Sequence, residues 1–157
     1  MIRLLKRLLI VASIVVSMMI IASCNNDVAP KEMEALNHQV QEEVDAKGLQ
    51  INIDQVDYTE ERDYGAEKVN QVLRLKMTVR NTSIEEIFFD STALQVTDSK
   101  GKKMDIYPFE NMIENIAPKE KKVGYVYFKA SNKGPYTVVY KHPITQEEYT
   151  WQVNPKN

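Results

Sequence analysis

The chain has 157 residues and a mass of 18.1 kDa, with 43% hydrophobic, 27% charged and 8% aromatic residues, enough for one globular domain with appendages and too little for two. Its 20 Lys and Arg face 22 Asp and Glu, for a formal charge of −2 and a pI of 5.8, so it lacks the basic field that holds a nucleic-acid backbone. The single cysteine, Cys24, excludes an intramolecular disulfide and leaves the fold to its core alone.

Met1 to Arg7 carries Arg3, Lys6 and Arg7 and no acid, Leu8 to Ile21 is almost wholly apolar, and Ile21-Ala22-Ser23-Cys24 closes the segment with small residues. This is the layout of a secretory signal peptide. Its apolar run of about 14 residues spans roughly 21 Å as a helix, short of the ~30 Å hydrocarbon core of a bilayer. Ile21 to Cys24 resembles a bacterial lipobox, which implies a diacylglycerol on the Cys24 thiol and cleavage before it. An uncleaved signal anchor and a pairing thiol are the competing readings; the polar Asn25-Asn26-Asp27 argues against a buried structural thiol. The expected division is a signal peptide over 1–23, a lipidated N-terminus and tether over 24–48, and the folded domain over 49–157. Without its first 23 residues the chain keeps 17 basic and 22 acidic side chains, a formal charge of −5.

From Pro30 to Lys47, Met33, Leu36, Val40 and Val44 recur at spacings of three or four, which predicts a short helix within the tether, opened by Pro30 and closed by Gly48. From Leu49 the period changes to two. Leu49, Ile51 and Ile53 read as a strand, Gln55 to Val69 as a charged loop, and Leu73, Leu75, Met77 and Val79 as a strand whose other face carries Arg74, Lys76, Thr78 and Arg80. Further strands are predicted at Ala93 to Thr97, Lys103 to Tyr107, Lys122 to Phe128, Tyr136 to Tyr140 and Glu148 to Val153. Turn signals at Asn81-Thr82-Ser83, Asp98 to Gly101, Ala117-Pro118-Lys119, Ser131 to Pro135 and His142-Pro143 separate them. With no crossover helices between the strands, the arrangement predicted is an all-β antiparallel sandwich.

Leu75 to Ser83, Phe89 to Leu94, Val96 to Lys102, and Ile116-Ala117-Pro118 with Val123 to Phe128 together resemble the immunoglobulin-like, telokin-like domains of unknown function of bacterial surface lipoproteins and of a secreted mycobacterial antigen. Pro118-Lys119 stands where that family often has Pro-Gly. The resemblance covers about residues 49 to 153 and implies an immunoglobulin-like extracytoplasmic sandwich, used as an accessory or binding domain, and it brings no catalytic residues with it.

The candidate functional residues follow from chemistry. His38 and His142 are the only imidazoles and no Gly-x-Ser-x-Gly elbow occurs, so catalysis and metal or cofactor binding are not expected beyond the covalent lipid at Cys24. Glu60, Glu61 and Asp63, with Asp57 nearby, are the carboxylates that a calcium site or an accessory hydrolase would use, although Arg62 intrudes. Lys100, Lys102 and Lys103 at one turn and Lys119, Lys121 and Lys122 at another would form a basic rim for anionic headgroups or wall polymers if both turns share an end of the sandwich. The simpler reading of these lysines is solubility of turns and edges. Tyr107, Phe109, Tyr125, Tyr127, Tyr149 and Trp151 would form a carbohydrate-stacking row if exposed and core if buried. Phe88 or Phe89 is the candidate anchor for a protein partner. The function expected is a lipid-anchored module on the outer face of the membrane, binding or assembling envelope proteins, with wall-polymer binding as the alternative.

Overall fold

The computed structural model describes residues 37–62, 65 and 69–156. The expected signal peptide, Cys24, residues 30–36 of the expected helix and Asp63 lie outside these residues.

Ten strands run in chain order: β1 (Asn37–Gln39), β2 (Val44–Ala46), β3 (Leu49–Thr59), β4 (Gln71–Asn81), β5 (Ile87–Asp90), β6 (Gln95–Thr97), β7 (Ile113–Ile116), β8 (Lys121–Ala130), β9 (Tyr136–Lys141) and β10 (Glu148–Val153). They form two four-stranded sheets, β1-β10-β9-β6 and β2-β3-β4-β8, and a ribbon of β5 with β7. All pairings are antiparallel except β1 on β10. The fold is the predicted immunoglobulin-like antiparallel β-sandwich. Its core forms where Ile51, Ile53, Leu73, Leu75, Met77 and Val79 of one sheet pack with Val96, Val138, Trp151 and Val153 of the other, all at or near full burial.

Four expectations are corrected. The predicted helix over 30–47 is not helical in its described part: Val44 and Ala46 are buried in β2, and the sandwich begins at β1 instead of residue 49. Val40 and Val44 fit a helical spacing, but partners in two sheets are available and decide the outcome. Gly48, predicted to end a helix, is instead the second residue of a two-residue hairpin turn, where Lys47 (φ 54°) and Gly48 (φ 100°) both take the left-handed conformations of a type I′ turn. Gln55 to Thr59, predicted as loop, continues β3. A bulge between Ile53 and Gln55 inserts Asp54 and shifts the alternation by one, so Val56 replaces an odd-numbered residue on the buried face. Finally, Lys103 to Tyr107 is no strand; it makes only isolated bridges, Lys103 to Thr97 and Ile106 to Phe128.

Gly124 on β8 shows how closely the covering segment before β7 is seated. A Cβ built there would lie 2.7 Å from Met112 Cβ and 2.8 Å from both its Cγ and Sδ, and Met112 is itself buried. We expect Gly124→Ala to cost about 1–3 kcal/mol as Met112 is displaced, and Met112→Ala to recover part of that loss in the double variant. Denaturant midpoints of the four proteins check this, and an additive double variant would contradict it.

Candidate functional site

The two ends of the sandwich can be told apart by their turns. At one end, Thr82 N–H donates to Gly48 O at 2.8 Å, Lys119 Nζ donates to Thr82 O at 2.7 Å, and Lys47 pairs with Glu147 at 3.4 Å. These contacts gather the turns at 47–48, 82–86, 117–120 and 142–147. At the other end, Asn132 Nδ2 donates to Asp98 Oδ2 at 2.6 Å, and the hydroxyls of Tyr58 and Tyr136 meet at 3.0 Å. These gather the 98–103 and 131–135 turns.

The two lysine clusters are therefore separated. Lys100, Lys102 and Lys103 sit at the Asp98 end, while Lys119, Lys121 and Lys122 sit at the Gly48 end, where Lys121 pairs in register with Arg80. The ten residues of β8 place roughly 30 Å between them at about 3.3 Å per residue, so the basic rim that a shared end would have formed does not arise. Local chemistry explains each set. Asp98 is held below the usual carboxylate range by the backbone N–H of Lys102, with further support from that of Lys100 and from the Asn132 amide. Those lysines thus serve the turn through their main chain. Lys119, at φ 67°, holds a left-handed conformation of the kind that favours glycine, and Lys122 pairs with Glu120 at 2.9 Å. Lys102 and Lys103, with Met104, Asp105 and Lys129, line an open cleft of about 270 Å³.

The outer face of the β2-β3-β4-β8 sheet carries the most developed polar cluster. Register places Asp57, Arg74 and Tyr127 in one cross-strand row. Arg74 Nε and Nη2 donate to the two oxygens of Asp57, each at 3.0 Å, and Nη1 donates to Glu61 Oε2 at 3.0 Å. Its guanidinium lies 5.4 Å from the Tyr125 ring centre. The Asp57 hydrogen bond in particular raises the Arg74 pKa, securing its charge. Tyr127 donates to Glu61 Oε2 at 3.3 Å, and its pKa is pushed up to about 12, first by burial and then by the Glu61 charge. Asp57 and Glu61 are thus committed to one arginine. Glu60, fully exposed, faces away at 3.9 Å from Arg62. Asp57, Glu60 and Glu61, which a calcium site or a hydrolase would need to converge, are divided, and among the described residues no group of three or more His, Cys, Asp and Glu could hold a metal ion.

The aromatic row is divided: three of its six members are buried, while Phe109, Tyr125 and Tyr149 are half-buried. Trp151, Tyr107 and Tyr127 are buried, and Tyr127, Tyr107 and Val72 form a second small core on the outer face, with Phe109 edge-on to Tyr127 at 5.0 Å. Phe88 is 61% exposed and Phe89 fully buried, which selects between the two candidate anchors. His38 and His142 bond locally, to Glu42 and to the N–H groups of Ile144 and Thr145. The polar residue that sequence reasoning assigned only to a turn is Asn81, fully buried, whose amide joins three segments.

Architecture and surface together define a small all-β module of the immunoglobulin-like sandwich class. The chain belongs to the family of the domain of unknown function DUF4352, whose profile matches residues 38–150. Among solved structures it is similar to the yjhA protein of Bacillus subtilis, at 16% identity and a TM-score of 0.61 over 74% of this chain and 99% of that one. It is also similar to the secreted protein MPT63 of Mycobacterium tuberculosis, at 14% identity and a TM-score of 0.62 over 77% and 99%. A third similar structure is ycdA of B. subtilis, assigned as a lipoprotein, at 18% identity and a TM-score of 0.61; it is matched over 77% of this chain but only 40% of its own length. No curated protein matches the chain. At these identities the solved structures establish the shared fold.

Proposed function

We propose that this protein is a lipid-anchored extracytoplasmic module, held on the outer face of the cell membrane through acylated Cys24, that binds or assembles envelope proteins. The observation that carries the reading is the order of segments: a basic start, an apolar run, Ile21-Ala22-Ser23-Cys24, and then a sandwich whose first strand starts only thirteen residues later. One structural relative assigned as a lipoprotein and another secreted one support an exported location. Confinement at a surface raises the local concentration of the domain toward its neighbours, so a weak protein interface suffices. Expressed in a bacterial host supplied with a radiolabelled fatty acid, the wild type is expected to take up the label and Cys24→Ala to take up none. Equal labelling of the two, or of neither, would overturn the anchor.

Wall-polymer binding is the second reading, favoured by the cleft with Lys102 and Lys103 on its rim. With Trp151, Tyr107 and Tyr127 buried, this reading rests on the charge of the cleft more than on aromatic stacking.

A further inference from the structure

Among the described residues, five large apolar side chains are strongly exposed: Ile84 and Ile144 at 85% each, Phe88 at 61%, Val123 and Ile113. Scattered single apolar residues are ordinary on protein surfaces. Here three of the five, Ile84, Ile144 and Phe88, lie toward one end. Ile144 stands in the 142–147 turn and Ile84 in the 82–86 turn, both at the Gly48 end. Phe88 follows Ile87, whose Cδ1 lies 3.7 Å from the position of a Cβ on Gly48. Val123 faces Thr78, three residues from the end of β4. The Asp98 end carries none of the five.

Strand polarity supplies the second observation. β1 runs parallel to β10, hence away from the 142–147 turn, and its first residue, Asn37, is level with Thr150. The start of the folded chain therefore faces the end that carries Ile84 and Ile144, about 10 Å from Glu147 at roughly 3.3 Å per residue. The thirteen residue steps from Cys24 to Asn37 reach at most about 45 Å. This length lets that end touch the surface in which an acyl chain at Cys24 is embedded.

From this we infer that the Gly48 end is a membrane-contacting face, with Ile84 and Ile144 entering the lipid interface and Phe88 flanking them. The inference rests on the reading of Cys24 as lipidated. The occupant is a lipid surface because the apolar groups are separate protruding tips, which suit insertion between headgroups. A second protein copy needs a continuous patch of about 800 Å² per partner. At this end Lys47 pairs with Glu147, Lys122 with Glu120 and Lys141 with Glu148, and the further cations Arg80, Lys119 and Lys121 are nearly balanced by Glu85 and Glu86, so the contact needs no anionic lipid.

The test uses the full-length lipidated chain in phosphatidylcholine vesicles, with and without phosphatidylglycerol. Once Cys24 is acylated, Ile84→Cys, Ile144→Cys and Lys100→Cys each offer one thiol for an environment-sensitive fluorophore. Labels at 84 and 144 are expected to shift to the blue and to be quenched by nitroxide-bearing lipid in both vesicle types, while the label at 100 stays in water. Aqueous emission at all three sites on chains that float with the vesicles would overturn the membrane face and leave the anchor standing. A blue shift at 84 and 144 without lipid quenching would assign these tips to a protein contact and overturn the inference. Failure of the wild type to float, with dye incorporated at Cys24 as well, would remove the anchor and the inference with it.

Discussion

Replacing Asn81 with alanine is expected to destabilise the domain by about 3–4 kcal/mol, the largest loss from any single polar side chain described here, at roughly 1 kcal/mol for each of four hydrogen bonds. Its Nδ2 donates to Glu85 O at 2.6 Å and Ile116 O at 2.9 Å, and its Oδ1 accepts from Ser83 N–H at 2.8 Å and Ser83 Oγ at 2.7 Å. The residue is fully buried. Alanine would leave the Ile116 carbonyl without this donor inside the protein and release the turn that links β4 to β5. Asn81→Asp keeps the shape but loses both donors and sets a carboxylate against two carbonyls, so a comparable loss is expected. Urea denaturation followed by tryptophan fluorescence of the buried Trp151 measures both. A loss under about 1 kcal/mol for each variant would show that the amide is not a structural hub.

The second large effect concerns Arg74. Its replacement by methionine removes a two-pronged bond to Asp57 and a bond to Glu61, leaving the two carboxylates close together with no cation between them. Charge-assisted bonds at half-buried positions suggest a loss of about 2 kcal/mol, above the usual surface ion pair and below a fully buried one. Arg74→Lys cannot reproduce the fork and should lose about half of that. Glu60→Ala, one residue from Glu61 but facing solvent, is expected to leave the denaturation midpoint unchanged. Equal effects from Glu60 and Arg74 substitutions would contradict this account of the cluster.

Tyr127 adds a pH signature to the same cluster. Its pKa is raised in the folded protein from the ordinary value near 10 to about 12, so the folded state favours the neutral phenol. The associated stabilisation is full below pH 10 and is lost as pH climbs toward 12. Tyr149 behaves alike, raised to about 12 by burial and by its hydrogen bond to Glu147. An ultraviolet phenolate titration should therefore show part of the tyrosines ionising only above pH 10, with unfolding setting in over the same range. Uniform ionisation of all eight near pH 10, with the fold intact, would contradict it.

How much of this was legible in the sequence depended on whether a residue's partner was local. β4 was readable because it keeps one phase from Leu73 to Val79, and β8 because its apolar run from Val123 to Phe128, buried on both faces at Val126, Tyr127 and Phe128, lies between clear turn signals. β3 was readable only as far as Ile53, since the extra residue Asp54 shifts the phase and makes the next five residues look like charged loop. β2 was hidden by a four-residue spacing that fits a helix as well as a strand. Its identity comes from Ile51 and Leu49 across the hairpin. The turn signals were correct, but what they do was not visible: Asn81 reads as turn chemistry until β7 supplies the carbonyl of Ile116. Arg74 and Asp57 are seventeen residues apart, and they meet only because the bulge brings them into register. For the lysines the difficulty was global, because which turns share an end depends on strand order.

The central claim is that a lipid at Cys24 holds this sandwich at the membrane. The most direct measurement is the intact mass of the full-length gene product purified from bacterial membranes. A mature chain beginning at Cys24 and carrying the added mass of its acyl groups is the result predicted. An unmodified chain, or one that retains Met1, would contradict the claim.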